Sequence, residues 1–411
     1  MASASFAPLR HRSFALALGA NFISSTGSWM QSVALGIYLT LTTHNAVWLG
    51  LLTLAAWLPG LIGSPIGGVM ADRMSRERWI QINNLLQAAS AIALAAAELT
   101  HHLSPQLACF LAIVEGLCGS ASWSAWQSLM RDLVEPHEVL AAVSLGSAQF
   151  NLGRIVGPVI AAAMLAVANP GWCFVANAAS FVVIVVAFAF VHSPPRTIVP
   201  SPFTPVADTV KGVRAAWGAN GARNGIVMVG VVGVLLSPFI TLVPAMGIDV
   251  LHAGKVGVSW MVTAQGVGAI FGALGLPMIA RRTSRLGVLV GSLFGAAVTE
   301  VIYAYCPNLW SALVALVVLG AAYVGCMTGL NTSVQIHAPE RERSRVLSLY
   351  VLSLSVSFPI GAMIQSAIAH HSGVPLVSAG SAVVFLLLLG LVTLLRPQIW
   401  HDMGEPRAQT A

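Results

Sequence analysis

Charge is what this 411-residue sequence has least of. Asp, Glu, Lys and Arg make up 8% of it while apolar types make up 57%, against roughly 25% charged residues in a soluble domain. So few charges cannot wet the surface of a water-soluble fold of this length. A bilayer removes that need, because lipid-facing surface can be apolar so long as each backbone amide is paired within its own helix. Cysteine is also sparse. Cys109, Cys118, Cys173, Cys306 and Cys326 stand singly, and all but Cys306 lie well inside apolar runs, which excludes a CxxC metal site and a disulfide framework. No phosphate-binding GxxxxGK[ST] loop occurs, so the chain carries no ATPase of its own. The net charge of +6 comes from short basic clusters between apolar runs, which excludes the continuous basic face of a nucleic-acid binder.

What is present is a series of apolar runs about 20 residues long, each enough to cross roughly 30 Å of hydrocarbon. Twelve spans are predicted: 14–41, 47–71, 79–100, 105–130, 138–168, 172–192, 223–249, 257–280, 285–305, 308–335, 345–370 and 373–396. The first follows Arg10 and Arg12 but is too long for the core of a signal peptide. Basic residues mark cytoplasmic loops, and placing both termini in the cytoplasm puts 18 of the 20 there. Lys255 falls outside and Arg154 falls within a helix. One miscounted span would invert every later loop, so the partition supports both the count and the orientation.

Residues 194–222 form the longest polar stretch, opening with Pro194, Pro195, Pro200, Pro202 and Pro205. This reads as a stiff linker between halves 1–193 and 223–411. Val206, Val210, Val213 and Trp217 recur there at helical spacing opposite Asp208, Lys211 and Arg214, which fits an amphipathic helix on the membrane surface as well as an ordinary solvated linker. The halves repeat. Ser128, Pro136 and Ser144 correspond to Ser333, Pro339 and Ser348 at offsets of 203 to 205, and Arg73 to Arg282 at 209. The expected fold is therefore all-α: twelve transmembrane helices in two pseudo-symmetric six-helix bundles, a duplication that recurs among transporters with the substrate site between the repeats.

Ionisable residues within a span are costly and face a partner or a wet cavity. Glu115 and Arg154 both fall midway along their spans. Glu115 shares a helical stripe with Gly119, Ser122 and Trp126, and Arg154 shares one with Ser147, Asn151 and Pro158. An ion pair between them is expected beside a cavity, with Glu115 either taking up a proton or forming a permanent structural pair. Asn21, Ser25, Ser28 and Ser32 form another stripe with Gln31 beside it, fitting a cavity wall or hydroxyl-glued packing. Glu98 and Glu300, near the outer ends of their spans, are expected to reach headgroups, and Asp249 and Lys255 to lie at the outer surface. Gly63 with Gly67 and Gly268 with Gly272 have the spacing of close helix contacts. The adjacent pairs His101–His102 and His370–His371 are not expected to bind metal, and no metal or cofactor is expected elsewhere.

The loop after the second span, with Gly68, Asp72, Arg73, Ser75, Arg76, Glu77 and Arg78, resembles the signature loop of the major facilitator superfamily. The whole chain resembles that superfamily's branch of siderophore exporters, macrolide efflux pumps and a lysophospholipid transporter. Gly27, Ser28 and Trp29 stand where relatives carry a Gly-Asp-Trp-like element, and the loops at Pro136–Glu138 and Pro339–Arg343 match its Pro-Glu-Arg-like loops. Gly157 and Pro158 resemble the superfamily's antiporter element, and otherwise read as close helix packing with a kink. Ser75 and Glu77 depart from the signature, Arg281 stands in the second copy where Asp72 stands in the first, and Ser28 replaces the acid of many relatives. The resemblance implies a gating role for Gly68, Asp72, Arg73 and Arg76, although their arginines also serve simply to set orientation. It implies a proton-coupled secondary exporter of amphipathic small molecules, monomeric in the inner membrane. The readings kept beside it are a lysophospholipid transporter and a non-transporting membrane receptor or scaffold.

Overall fold

The computed structural model describes residues 6–193 and 205–404, with the side chains of 205–209, Pro277 and Arg341 left aside. Eleven of its helices are long and apolar enough to cross a membrane, and the 32-residue helix Arg12–Thr43 precedes them. The membrane helices are α1 Arg12–Thr43, α2 Val47–Arg73, α3 Arg76–Leu99, α4 Pro105–Asp132, α5 Val139–Val167 and α6 Pro170–Phe188 in the first half of the chain. The second half supplies α7 Asn220–Val250, α8 Gly254–Arg282, α9 Arg285–Ala304, α10 Leu309–His337, α11 Arg343–Ser372 and α12 Val374–Leu395. Among the described residues there is no β-strand, and the all-α reading and the twelve predicted spans hold, the ends differing by a few residues.

Helix ends follow local chemistry. Ser104 accepts from the Leu107 amide at 3.2 Å just before Pro105, and Ser284 and Asn308 do the same at the starts of α9 and α10, satisfying first-turn amides that have no helical partner. α2 is interrupted at Leu58 and Pro59. α7 is interrupted near Pro238 and ends in one π-turn, Met246–Val250. All described residues with positive φ sit at corners on the side away from the arginines: His44 at 46°, His101 at 60°, His252 at 49°, Gly254 at 66° and Gly373 at 83°. A helix Pro205–Gly218 packs along α11, and a short helix Gln398–Met403 packs against α7. The proline-rich opening of the linker, with Arg196, lies outside the described residues.

Two compact units are present. The first comprises the described parts of Met1–Thr43, Ala55–Phe203 and Gly254–Thr263, and the second those of His44–Leu54, Thr204–Ala253 and Ala264–Ala411. Within the first, α1 packs along α5 and α6, α3 along α4 and α6, and the later half of α2 along α4. Within the second, α7 packs along α10 and α11, and α9 along α10 and α12. The segment from His44 to Leu54 also packs there, with Thr53 Oγ1 3.1 Å from Thr241 Oγ1.

Lipid offers helices no hydrophobic reason to associate, so close backbone approach at small residues holds such bundles together. Gly63 and Gly67 of α2 lie directly against the backbone of Leu117 and Ala121 of α4, and Gly268 and Gly272 of α8 against Val317 and Ala321 of α10. The two glycine pairs thus make the same crossing in each half. Large apolar side chains such as Phe110, Ile62, Phe294 and Leu387 are more than half exposed, a surface suited to acyl chains and unsuited to water.

Candidate functional site

Midway along α1, α4 and α6, a polar network crosses the first unit. Gln31 Nε2 donates to Glu115 Oε2 at 2.6 Å, and Asn177 Nδ2 donates to Gln31 Oε1 at 2.9 Å. Ser180 Oγ in turn donates to the Asn177 carbonyl at 2.7 Å and to Asn177 Oδ1 at 2.9 Å. Gln31, Asn177 and Ser180 are buried, so each amide is fixed in one orientation by its neighbour. The other oxygen of Glu115, Oε1, is buried without a hydrogen-bond partner. A buried acceptor left open is costly, and it marks the point where this network can take one more hydrogen. Gly27 allows the approach, because a Cβ there would lie 2.5 Å from Asn177 Oδ1 and Ser180 Oγ.

The partner of Glu115 is thus Gln31 and not the expected Arg154. The Arg154 guanidinium lies over the Trp29 ring, 5.7 Å from its centroid, a cation–π distance. Trp29 stands 6.1 Å from Phe150, which stands 5.2 Å from Trp123. One aromatic patch with a guanidinium therefore joins α1, α4 and α5. Between α3 and α4 runs a further polar seam, in which Asn84, Gln87 and Ser90 of α3 are not among the residues picked out from the sequence: Asn84 donates to Ser122 Oγ at 3.4 Å, Ser90 donates to the Leu111 carbonyl, and Gln87 Oε1 faces Gly119.

The remaining candidates divide. Ser25 accepts from Gln149 Nε2 at 2.7 Å, joining α1 to α5. Asn21 and Asn151 donate to carbonyls one turn back on their own helices, and Ser28 is exposed. Trp126 belongs to a packed apolar cluster with Phe14, Leu129 and Phe188 and stands apart from the polar network. Gly157 lies against the Thr26 carbonyl and the Trp29 Cβ, and Pro158 is buried beside it within α5. Glu98 and Glu300, expected among headgroups, are instead 7% and 0% exposed. Glu98 packs against Gly171 in the first turn of α6, where a helix start favours negative charge. Asp249 Oδ1 accepts from the exposed His44 Nδ1 at 3.1 Å.

At the arginine-bearing end, the loop between α2 and α3 is held by one buried side chain. Arg76 is 8% exposed, and its guanidinium contacts Asp132 at the end of α4 and, at 3.9 Å, Asp72 at the end of α2. Arg73 is exposed and Gly68 is half-buried, with nothing within 4 Å of where its Cβ would lie. His11 meets Glu138 at 2.6 Å, and Ser193 N donates to Glu77 at 3.0 Å. In the second half Arg345 pairs with Glu342 at 2.5 Å.

Among the described residues, twelve membrane helices, a duplicated glycine crossing and a charged loop after α2 make up the major facilitator fold. The chain belongs to the transmembrane secretion effector family, which it matches over residues 3–406. It is 25% identical over 398 residues to the multidrug efflux pump Tap of Mycolicibacterium fortuitum, covering 93% of this chain and 95% of that protein. It is 23% identical over 389 residues to the enterobactin exporter EntS of Escherichia coli O1:K1 / APEC, covering 94% and 92%. Its fold matches that of the nucleoside transporter NupG with a TM-score of 0.74 at 11% identity, over 95% of this chain and 98% of that one.

Proposed function

We propose that this chain is a proton-coupled exporter of amphipathic small molecules, a drug or a siderophore-like metabolite, working by alternating access. The observation that carries the reading is Glu115: a carboxylate midway along a membrane helix, with one oxygen held by Gln31 and the other open and buried. A group so placed gives a proton a defined seat inside the bilayer, where ionisable side chains mark proton relays. The aromatic patch of Trp29, Trp123 and Phe150 beside Arg154 suits ring-bearing, amphipathic cargo better than a sugar or a phosphate. Export is the direction carried by the named activities of Tap and EntS.

The two six-helix bundles are 1–193 and 223–411, with 194–222 as a cytoplasmic linker, and the protein acts as a monomer in the inner membrane with both termini cytoplasmic. Gly68, Asp72, Arg73 and Arg76 gate the cytoplasmic side; Asn21, Ser25, Ser28, Gln31, Ser122, Asn151 and Arg154 form the pathway with Glu115, while Trp126 packs in the apolar cluster beside Phe188. The test compares accumulation of a panel of toxic amphipathic compounds in cells with and without the gene, each with and without a protonophore. Lower accumulation that disappears with the protonophore and with Glu115→Gln is expected. Equal accumulation across the panel removes the export reading, and protonophore-sensitive export unchanged in Glu115→Gln removes the role of Glu115.

A further inference from the structure

A second built cavity lies away from this network, entirely within the second unit. It occupies about 520 Å³ between the start of α7, the end of α12 and the short helix Gln398–Met403. Its polar end carries Arg223 and Asn224 of α7, Arg396 directly after α12, and Asp402. Its deeper wall is apolar, formed by residues that include Val231, Phe385 and Val392. Val227 and Leu388, also on the lining, are 53% and 40% exposed, so the apolar wall opens sideways on the surface that faces acyl chains.

Its polar groups are not satisfied by one another. Among the described residues neither Arg223 nor Arg396 makes an ion pair, and Asp402 makes none either. The Asn224 Nδ2 is buried without an acceptor. Two guanidiniums and one carboxylate leave the lining a charge of +1. Guanidinium forks match phosphate oxygens, and one positive charge matches the single negative charge of a phosphodiester. A packing void would be apolar throughout, whereas this one places its cations at the arginine-bearing end and its apolar wall toward the bilayer core. That is the polarity of a phospholipid.

We infer that this cavity binds an anionic phospholipid, with the phosphodiester on Arg223 and Arg396 and the first part of an acyl chain along Val231 and Phe385. Asn224 donates to a phosphate or ester oxygen, and Asp402 accepts from a headgroup hydroxyl. Trp400 lies on the adjoining short helix with its indole nitrogen donating to Thr393 at 3.0 Å, the belt position tryptophan takes at a membrane interface.

The test is native mass spectrometry of the full chain in detergent with added phosphatidylglycerol, phosphatidylcholine or the chainless headgroup glycerophosphoglycerol. One retained phosphatidylglycerol is expected, with little phosphatidylcholine and no glycerophosphoglycerol. Arg223→Gln with Arg396→Gln is expected to weaken retention about thirtyfold, from about fivefold for each basic group near a lipid phosphate. Arg223→Lys with Arg396→Lys keeps most of it, and Val231→Trp, which fills the apolar wall and leaves both arginines, loses it. Equal retention in the glutamine double variant overturns the inference, as does equal retention of phosphatidylcholine. Binding of glycerophosphoglycerol as strong as that of the lipid would make the site one for a free phosphodiester and overturn it too. If the glutamine variant does not elute as a folded protein, the lysine pair and Val231→Trp decide the matter: retention by Val231→Trp equal to that of the unaltered chain overturns it.

Discussion

Gln31 stands between Glu115 and Asn177, donating its amide hydrogen to the first at 2.6 Å and accepting through Oε1 from the second at 2.9 Å. Three helices of the first unit therefore share one side chain. Gln31→Ala leaves both neighbours unmet and is expected to cost about 1–3 kcal/mol. Asn177→Ala is expected to cost less, because Glu115 keeps its donor. If the chain of bonds acts as one network, the double variant costs less than the sum of the two, by about 0.5–3 kcal/mol. Thermal unfolding of the detergent-solubilised variants measures this, and strict additivity would show that the residues act separately.

Gly67 and Gly68 are neighbours with opposite surroundings. A Cβ on Gly67 would come within 2.6 Å of the Ala121 Cα, whereas one on Gly68 meets nothing within 4 Å. Gly67→Ala is expected to destabilise by about 1–3 kcal/mol through forced separation of α2 and α4. Gly68→Ala is expected to be neutral or to stabilise by up to about 1 kcal/mol, since alanine is the better helix former. Gly272→Ala should behave as Gly67→Ala does, its Cβ falling 2.8 Å from the Ala321 Cα. Melting temperatures of the three variants check the contrast.

Arg76 is buried where its sequence neighbours Arg73 and Arg78 are exposed. Arg76→Ala leaves Asp132 without its cation and is expected to cost about 1–3 kcal/mol together with a large loss of transport. Arg73→Ala and Arg78→Ala are expected to stay within about 0.5 kcal/mol of the unaltered protein. Exchanging the partners, Arg76→Asp with Asp132→Arg, should recover part of the loss. Expression level and melting temperature read the stability effect, and substrate efflux reads the other.

Orientation is open to a direct chemical test. With Cys109 replaced by serine, the remaining cysteines are all buried. Lys255→Cys in that background is expected to react with a membrane-impermeant maleimide added to intact cells, and Arg282→Cys only after the cells are opened. The reverse pattern would invert the topology.

Much of the fold was legible because each solvent writes its own rule into the sequence. Lipid fixes the length of an apolar run, and arginine marks the side on which a loop stays, so even the ends of α2, α4 and α9 fall within two residues of the prediction. The glycine pairs Gly63–Gly67 and Gly268–Gly272 were legible for the same reason, since spacing alone puts both on one helix face. Which helix faces which was not legible. Glu115 and Arg154 looked like partners by depth, yet depth says nothing of rotation, and Gln31 lies nearer to Glu115. Asn177 could have been found as an amide with Ser180 three residues on in an otherwise apolar α6. Glu98 and Glu300 were misplaced because distance from a helix end was read as distance from water, whereas neighbouring helices cover both.

The two ends of this protein are tied by different means. At the end away from the arginines, His44, His101, His252, Gly254 and Gly373 turn the chain by left-handed backbone, with the exposed His44–Asp249 contact beside them. The opposite end is tied by Arg76 to Asp132, His11 to Glu138 and Arg345 to Glu342. Ionic strength screens charge pairs and leaves backbone geometry untouched. Raised salt therefore acts on the charged contacts at the arginine-bearing loops of each unit and leaves the left-handed corners as they are.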